Sequence, residues 1–300
     1  MRMSQRIALA LLLSVTLPRM QAEGPELPRT DQQLQRSLRE AVLRLGLEKP
    51  LAEHRLGLAL IDVTDQTRPR YAGLNDSDML YAASLPKIAI LLAGFEAIRE
   101  GMLSYTPQVR DMLARMVRFS SNSDASRAVQ AIGFDFIART LTSSRYKLYD
   151  PGMNGGLWIG KAYGGPNDQW KRDPLHNLSH GATALQVARF FLMLDRGELV
   201  SAQYSAEMKA LMSNPGIHHK FVKGLERLPG YREIYRKSGT WKDSHCDAAL
   251  VEADGKRYIA VALMKDPKGG EALPRLIVEM DKLIPRRGYS QVLGAQPAAE

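Results

Sequence analysis

The chain has one cysteine in 300 residues, Cys246, so no disulfide can form within it and no cysteine cluster with metal-ligand spacing exists. No tract is repetitive or of low complexity, and 45% hydrophobic against 24% charged residues excludes a disordered chain. The apolar run from Ile7 to Leu17 is too short to span a bilayer, so no stable membrane insertion is expected. Nor do the 41 basic residues, which outnumber 32 acidic ones to give +9, gather into a stripe with aromatic residues. That argues against nucleic acid as a partner; the sign suits a substrate bearing a carboxylate or a negatively charged envelope surface.

Arg2 and Arg6 ahead of the apolar run read as a secretory signal peptide over residues 1–22, which would send the protein to the periplasm. Met20 stands where a small residue is preferred before a cut after Ala22, which leaves uncleaved anchoring as the alternative. Cys246 lies in Ser244-His245-Cys246-Asp247. A Cys/His nucleophile can be drawn there, but a buried strand thiol is the reading preferred.

Ser84 and Lys87, in Tyr81-Ala82-Ala83-Ser84-Leu85-Pro86-Lys87, put a hydroxyl and an amine one helical turn apart. The amine can take the hydroxyl's proton and leave a nucleophile. Ile88, Leu91, Leu92, Phe95 and Ile98 continue at helical spacing, and Pro86 fits only a first turn, so Ser84 is expected at a helix N-terminus, where free N–H groups suit an oxyanion. Ser120 and Asn122 follow at Ser-x-Asn spacing in a polar loop that enters a helix. Lys237-Ser238-Gly239-Thr240 then places an ammonium and a hydroxyl before a glycine at the opening of a strand.

In that order the three patterns resemble the motifs of the class A β-lactamases and penicillin-binding serine enzymes, over about residues 30–285. The resemblance implies that Ser84 is acylated, that Lys87 accepts or relays its proton, and that Ser120 passes a proton to the leaving nitrogen. It further implies that Asn122 holds the substrate amide, Lys237 sets a positive field, Ser238 binds the substrate carboxylate, and the N–H groups of Ser84 and Thr240 form the oxyanion hole. Gly239 would let the substrate approach the strand closely.

Periodicity gives the frame. A helix is expected over Asp31–Leu45, a hairpin from Leu56–Val63 and Tyr71–Leu74, and mostly helix with loops from Ser84 to Asp195, ending in a helix over Ala182–Arg196 with Gly197 as its stop. Strands are expected at Lys237, Ala248–Val251 and Tyr258–Met264, the last two joined at Asp254-Gly255, before a helix over Gly270–Ile284. The fold class is therefore α/β of the α+β type: an antiparallel sheet of about five strands flanked by helices, with an inserted all-helical lobe. Residues 23–285 would form this domain, the α/β lobe from 30–75 and 215–285 and the helical lobe from 84–212, with a loose tail over 286–300.

Three departures from the family pattern bear on turnover. The stretch from Lys87 to Ser120 is shorter than in typical class A enzymes, which implies a wider entrance. No Glu-Pro-x-x-Asn is present for releasing the acyl group; Tyr149-Asp150-Pro151-Gly152-Met153-Asn154 stands near its place. There Asp150 matches the water-activating acid and Asn154 its amide partner, although the same residues can make an ordinary Asp-Pro-Gly turn. Gly155-Gly156 and Gly164-Gly165-Pro166 prolong this segment as a flap. No arginine follows Gly239 on its strand, so a substrate carboxylate would depend on Ser238, Lys237 and Lys242. His218-His219-Lys220 and Trp241 receive no role.

The function expected is a secreted, monomeric serine acyl hydrolase that needs no cofactor or metal and opens a small β-lactam through a Ser84 acyl-enzyme. A D-alanyl-D-alanine carboxypeptidase acting on peptidoglycan-like peptide, an esterase of the same fold and a non-catalytic peptidoglycan-binding homologue stay open.

Overall fold

A computed structural model describes residues 26–165, 170–230 and 232–286; residues 1–22, expected from the sequence to be a signal peptide, Pro166 and the tail beyond residue 286 lie outside it. Asp31 caps the first helix, its Oδ1 accepting from Leu34 N at 2.8 Å, and α1 (Gln32–Arg44) buries Leu34, Leu38, Ala41 and Val42. A short α2 (Glu48–Ala52) leads to β1 (Leu56–Asp62), and β2 (Arg70–Leu74) returns antiparallel beside it with Leu58 opposite Leu74. After β3 (Leu80–Tyr81) come α3 (Lys87–Arg99), α4 (Pro107–Arg118), α5 (Asn122–Ile132) and α6 (Phe134–Thr142). Short strands follow at β4 (Tyr149–Asp150), β5 (Gly155–Gly156), β6 (Trp158–Ile159) and β7 (His180–Ala182). Then α7 (Ala184–Arg196), α8 (Ala202–Met212) and α9 (Phe221–Leu225) precede β8 (Arg232–Trp241), β9 (Ser244–Ala253), β10 (Lys256–Lys265) and α10 (Gly269–Lys282).

The main sheet has the order β2-β1-β10-β9-β8 and is antiparallel throughout. Strands from the two ends of the chain meet where β1 pairs with β10, from Leu56 opposite Met264 to Asp62 opposite Tyr258. Side chains alternate across the sheet, which separates two apolar layers. Leu58, Leu60, Ala260 and Ala262 pack with Leu38, Val42, Leu276 and Ile277 of α1 and α10. Ala59, Ile61, Ile259 and Val261 face the opposite way, toward α3 and α7. With both faces covered, every residue of β1 is buried. A fully buried leucine contributes about 1.5–3 kcal/mol, so these layers hold the sheet against the helices.

Helix α3 is buried from Lys87 through Ala97 on all sides, the pattern of a helix inside a domain rather than on its surface. It begins one turn beyond Ser84, which sits in the preceding turn with its carbonyl accepting from Lys87 N at 3.3 Å. The chain between Ser84 and Asp195 holds more than helices and loops. Strands β3, β7 and β6 form one small sheet and β4 and β5 another. Pieces of two or three residues, several of them glycine, are too short to show a period of two. Helix α7 accordingly starts at Ala184, because Thr183 caps it by accepting from Gln186 N at 3.2 Å, while His180–Ala182 pair as β7 with Leu80 opposite Ala182. Gly197 ends α7 in the left-handed region, φ 74°, the conformation that favours glycine.

Candidate active site

Ser84 is half-buried on the wall of an open cavity of about 880 Å³. The turn that carries it is tied down on one side, where Ala82 N donates to His180 O at 2.9 Å, and by Leu85 N to Ala82 O at 3.0 Å. Gly239 lies against its other side. A Cβ added to Gly239 would stand 2.2 Å from Ala82 O and 2.9 Å from Ser84 N, so the absence of a side chain lets β8 press directly on the Ser84 turn. The glycine is needed there for backbone against backbone rather than only for room at a substrate.

Three segments distant in sequence meet beside this turn. Lys87, fully buried, donates from Nζ to Ser120 O at 2.6 Å and to Asn122 Oδ1 at 2.8 Å, with Ser120 Oγ at 3.4 Å. Lys237, 1% exposed, donates to the same Ser120 Oγ at 2.9 Å and to Ser238 O at 2.7 Å. Ser120 occupies the left-handed region at φ 57°, a conformation that costs a non-glycine residue roughly 1–2 kcal/mol. It is held by two ammonium groups and by the cap of α5 that follows, where Ser121 Oγ accepts from Asp124 N at 3.2 Å. Asn122, the first residue of α5, is thereby aimed at Lys87.

The electrostatics follow from this crowding. Burial brings the Lys87 ammonium down to about 7, partly opposed by the Asp124 carboxylate. Burial, with the charge of Lys87 behind it, also pushes Lys237 well below the ordinary lysine range. Asp124, paired with Arg115 and Arg127, is itself held down at about 2. An amine that is about half neutral near pH 7 can accept a proton, and burial is what favours that neutral state. Both ammonium groups reach Ser120 Oγ, and among the described residues neither is hydrogen-bonded to Ser84 Oγ. Contacts of this kind commonly tighten only when substrate is present.

Thr240 and Trp241 line the cavity with Ser84 and Asn122, whereas Ser238, 5% exposed, does not. Along a strand, alternate residues face opposite sides, so Lys237 and Gly239 point at the Ser84 turn and Ser238 points into the layer behind. Lys242 does not line the cavity either. Its cations are Lys161, Arg172 and Lys265.

Asp150 and Asn154 are not brought to Ser84. Asp150 Oδ1 accepts from Gly152 N at 2.8 Å and closes its own Asp-Pro-Gly turn over Pro151–Met153. Asn154 donates to Ser77 O at 2.9 Å and meets His176 Nε2 at 3.0 Å. Neither lines the cavity. The flap runs on through Gly156, φ 149°, where a Cβ would lie 2.1 Å from Leu148 O, so glycine is required. It reaches the cavity at Lys161–Gly165 instead.

Several residues of the site carry no mark in the sequence. The Tyr163 ring lies 4.4 Å from Lys87 Nζ and 4.4 Å from the His180 ring. His180 is kept neutral by burial, its titration pushed down to about 4, and its Nε2 stands 2.9 Å from Lys161 O. Lys220, in a segment given no role, is buried against β8. Only the glycines around Tyr163, at Gly160, Gly164 and Gly165, hint that this segment approaches something closely. Cys246 is fully buried on β9, its thiol pushed up to about 12, and takes no part.

Residues 107–284 match the model of the β-lactamase enzyme family, more than half of the chain, and the protein belongs to that family. The Ser84-x-x-Lys87 pair stands ahead of the matched stretch. No curated protein sequence matches. Among solved structures the chain is similar to a β-lactamase from Sphaerobacter thermophilus, at 12% identity and TM-score 0.65 over 83% of this chain and 95% of that one. It is similar also to a mutant of PBP-A solved as an acyl-enzyme with penicillin G (18% identity, TM-score 0.63, 86% and 98% covered). A class A β-lactamase representative from Bacteroides cellulosilyticus gives 16% identity and TM-score 0.59 over 85% and 97%. At these identities the likeness is one of fold; the family match is what makes the chain a β-lactamase-like member of the serine hydrolase superfamily.

Proposed function

We propose that the protein is a serine acyl hydrolase that forms an acyl-enzyme on Ser84 with a β-lactam or a peptide-like amide and releases it slowly. In the first step Ser84 Oγ bonds to the carbonyl carbon and its proton passes to neutral Lys87. The C–N bond then breaks as Ser120 delivers a proton to the leaving nitrogen, drawing on the ammonium groups behind it. The N–H groups of Ser84 and Thr240 would carry the oxyanion, and Asn122 the substrate amide. Water later cleaves the ester.

The observation that carries this reading is the meeting of Lys87 and Lys237 on Ser120 Oγ, with Asn122 beside them. Slow release is favoured over rapid β-lactam hydrolysis because Asp150, the acid expected to activate water, is engaged in its own turn. Asp243 is the one carboxylate among the described residues lining the cavity. That points to a penicillin-trapped peptidase before an efficient β-lactamase. Export through residues 1–22, action as a monomer and the division into an α/β and a helical lobe belong to the same proposal.

Incubation with benzylpenicillin followed by intact mass over time tests it. A lasting adduct on Ser84 is the expected result; a short-lived adduct with steady product would mark a β-lactamase. No adduct at all would overturn the acylation reading and leave a binding protein of the same fold.

A further inference from the structure

We infer that Lys220 is a positioning residue of the oxyanion hole: its ammonium, bound to the Gly239 carbonyl, makes the N–H at the other end of the same peptide, that of Thr240, a stronger and better aimed donor. This rests on the acyl-enzyme reading above.

Lys220 lies just ahead of α9, 3% exposed and in the left-handed region at φ 51°, which a lysine adopts only when its surroundings hold it there. Its Nζ donates to Gly239 O at 2.5 Å, Thr240 Oγ1 at 2.7 Å and Cys246 O at 3.1 Å. A lysine ammonium has three protons, and all three go to neutral oxygens around one point where β8 meets β9. The nearby Asp247 carboxylate is taken up by Arg236, at 2.7 Å from both Nε and Nη2.

The direction of the peptide follows. Cys246 belongs to β9, so the Gly239 carbonyl that shares an ammonium with it points toward β9. Across a trans peptide the C=O and the N–H point in opposite directions. Thr240 N–H therefore points away from β9, at the free edge of β8, where Thr240 lines the cavity with Ser84. A cation on the carbonyl oxygen draws electron density through the amide, so the N–H becomes more positive where a substrate oxyanion would form. Inside a protein such polarisation along hydrogen bonds is strengthened.

A lysine that only satisfied buried carbonyls would leave the reacting carbonyl untouched, and infrared spectroscopy separates the two roles. The acyl-enzyme is formed with benzylpenicillin carrying ¹³C at the lactam carbonyl, and the ester stretching band is read in wild type, Lys220→Met and Lys220→Arg. Weaker hydrogen bonding in Lys220→Met should move the band to higher wavenumber and slow acylation about tenfold, less than the 10²–10³ that loss of a whole donor costs. Lys220→Arg, which keeps the charge, should restore the wild-type band. An unmoved band in Lys220→Met overturns the inference.

Should Lys220→Met fail to fold, pH gives a second reading on wild type. Burial, opposed by Asp247 and Cys246 of β9 and reinforced by Arg236 of β8, brings Lys220 down to about 8. Lys237 of β8 and His245 of β9 also feel its charge. As pH rises through about 8 the wild-type band should climb while that of Lys220→Arg stays. Equal bands across that range overturn the inference. A wild type that forms no adduct removes the acyl-enzyme reading and this inference together, which separates that failure from an adduct whose band does not respond.

Discussion

Lys87, Ser120, Asn122 and Lys237 come from three elements and meet; Asp150 and Asn154, in one short segment, do not join them. The first group sits on parts that the core fixes: α3 buried on all sides, the capped start of α5, and β8 registered against β9 from Arg232–Ala253 to Trp241–Ser244. Apart from the Lys237 bond to the neighbouring Ser238 carbonyl, their polar contacts run between elements, Lys87 to Ser120 and Asn122 and Lys237 to Ser120 Oγ, across the gap. Asp150 has a backbone N–H two residues away and uses it. A polar side chain that can close a local turn has little reason to reach a distant site.

Breaking the first region should have the largest effects. Ser84→Ala is expected to abolish the penicillin adduct in intact-mass measurement while changing stability by no more than about 0.5 kcal/mol, since the side chain is half-buried and makes no packing anchor. Lys87→Met should lower the acylation rate by roughly 10²–10⁴, the usual loss for a proton acceptor. Its stability should hold within about 1 kcal/mol, because an apolar residue of similar size replaces a buried cation. In wild type the sign of the pH effect follows from Lys87 at about 7: the amine accepts a proton only when neutral, so acylation should rise as pH climbs through 7 and level above it. A rate flat across that range in stopped-flow measurements would take the role from Lys87.

Gly239→Ala tests the contact between β8 and the Ser84 turn. The added methyl would meet backbone atoms that cannot turn aside, Ala82 O at 2.2 Å and Ser84 N at 2.9 Å. Loss of about 1–3 kcal/mol in thermal or denaturant unfolding is expected, with acylation falling as well because the oxyanion donors move apart. Unchanged stability would mean that the strand and the turn are less tightly joined than the distances say.

The sequence showed most of the fold. The hairpin of β1 and β2, the three closing strands, the helix begun by Asp31 and the stop at Gly197 all follow from period, caps and turn residues, which act locally. The order of the three motifs pointed to the family because each rides on such an element. The rest was set by contacts between distant residues. That β7 would pair with β3, that Tyr163 would lie between Lys87 and His180, and that Lys220 would pass beneath β8 depend on tertiary packing that no window of ten residues contains. The alternation of β8 likewise sent Ser238 behind the strand, and left Lys161, Arg172 and Lys265 as the cavity's cations.

The smallest expected effect sharpens the contrast most. Asn closes the same kind of turn as Asp, its side-chain oxygen accepting from the N–H two residues on, so Asp150→Asn should keep the Gly152 contact and the shape of the flap. Stability should change by less than about 0.5 kcal/mol, and the lifetime of the penicillin adduct should match wild type within the error of mass measurement. Asp150→Ala, which removes the acceptor, should cost about 0.5–1.5 kcal/mol and still leave the lifetime alone. A lifetime that lengthens in Asp150→Asn, with stability unchanged, would require the carboxylate to leave its turn and reach the ester once Ser84 is acylated. The two regions would then act as one site, and slow release would give way to assisted hydrolysis.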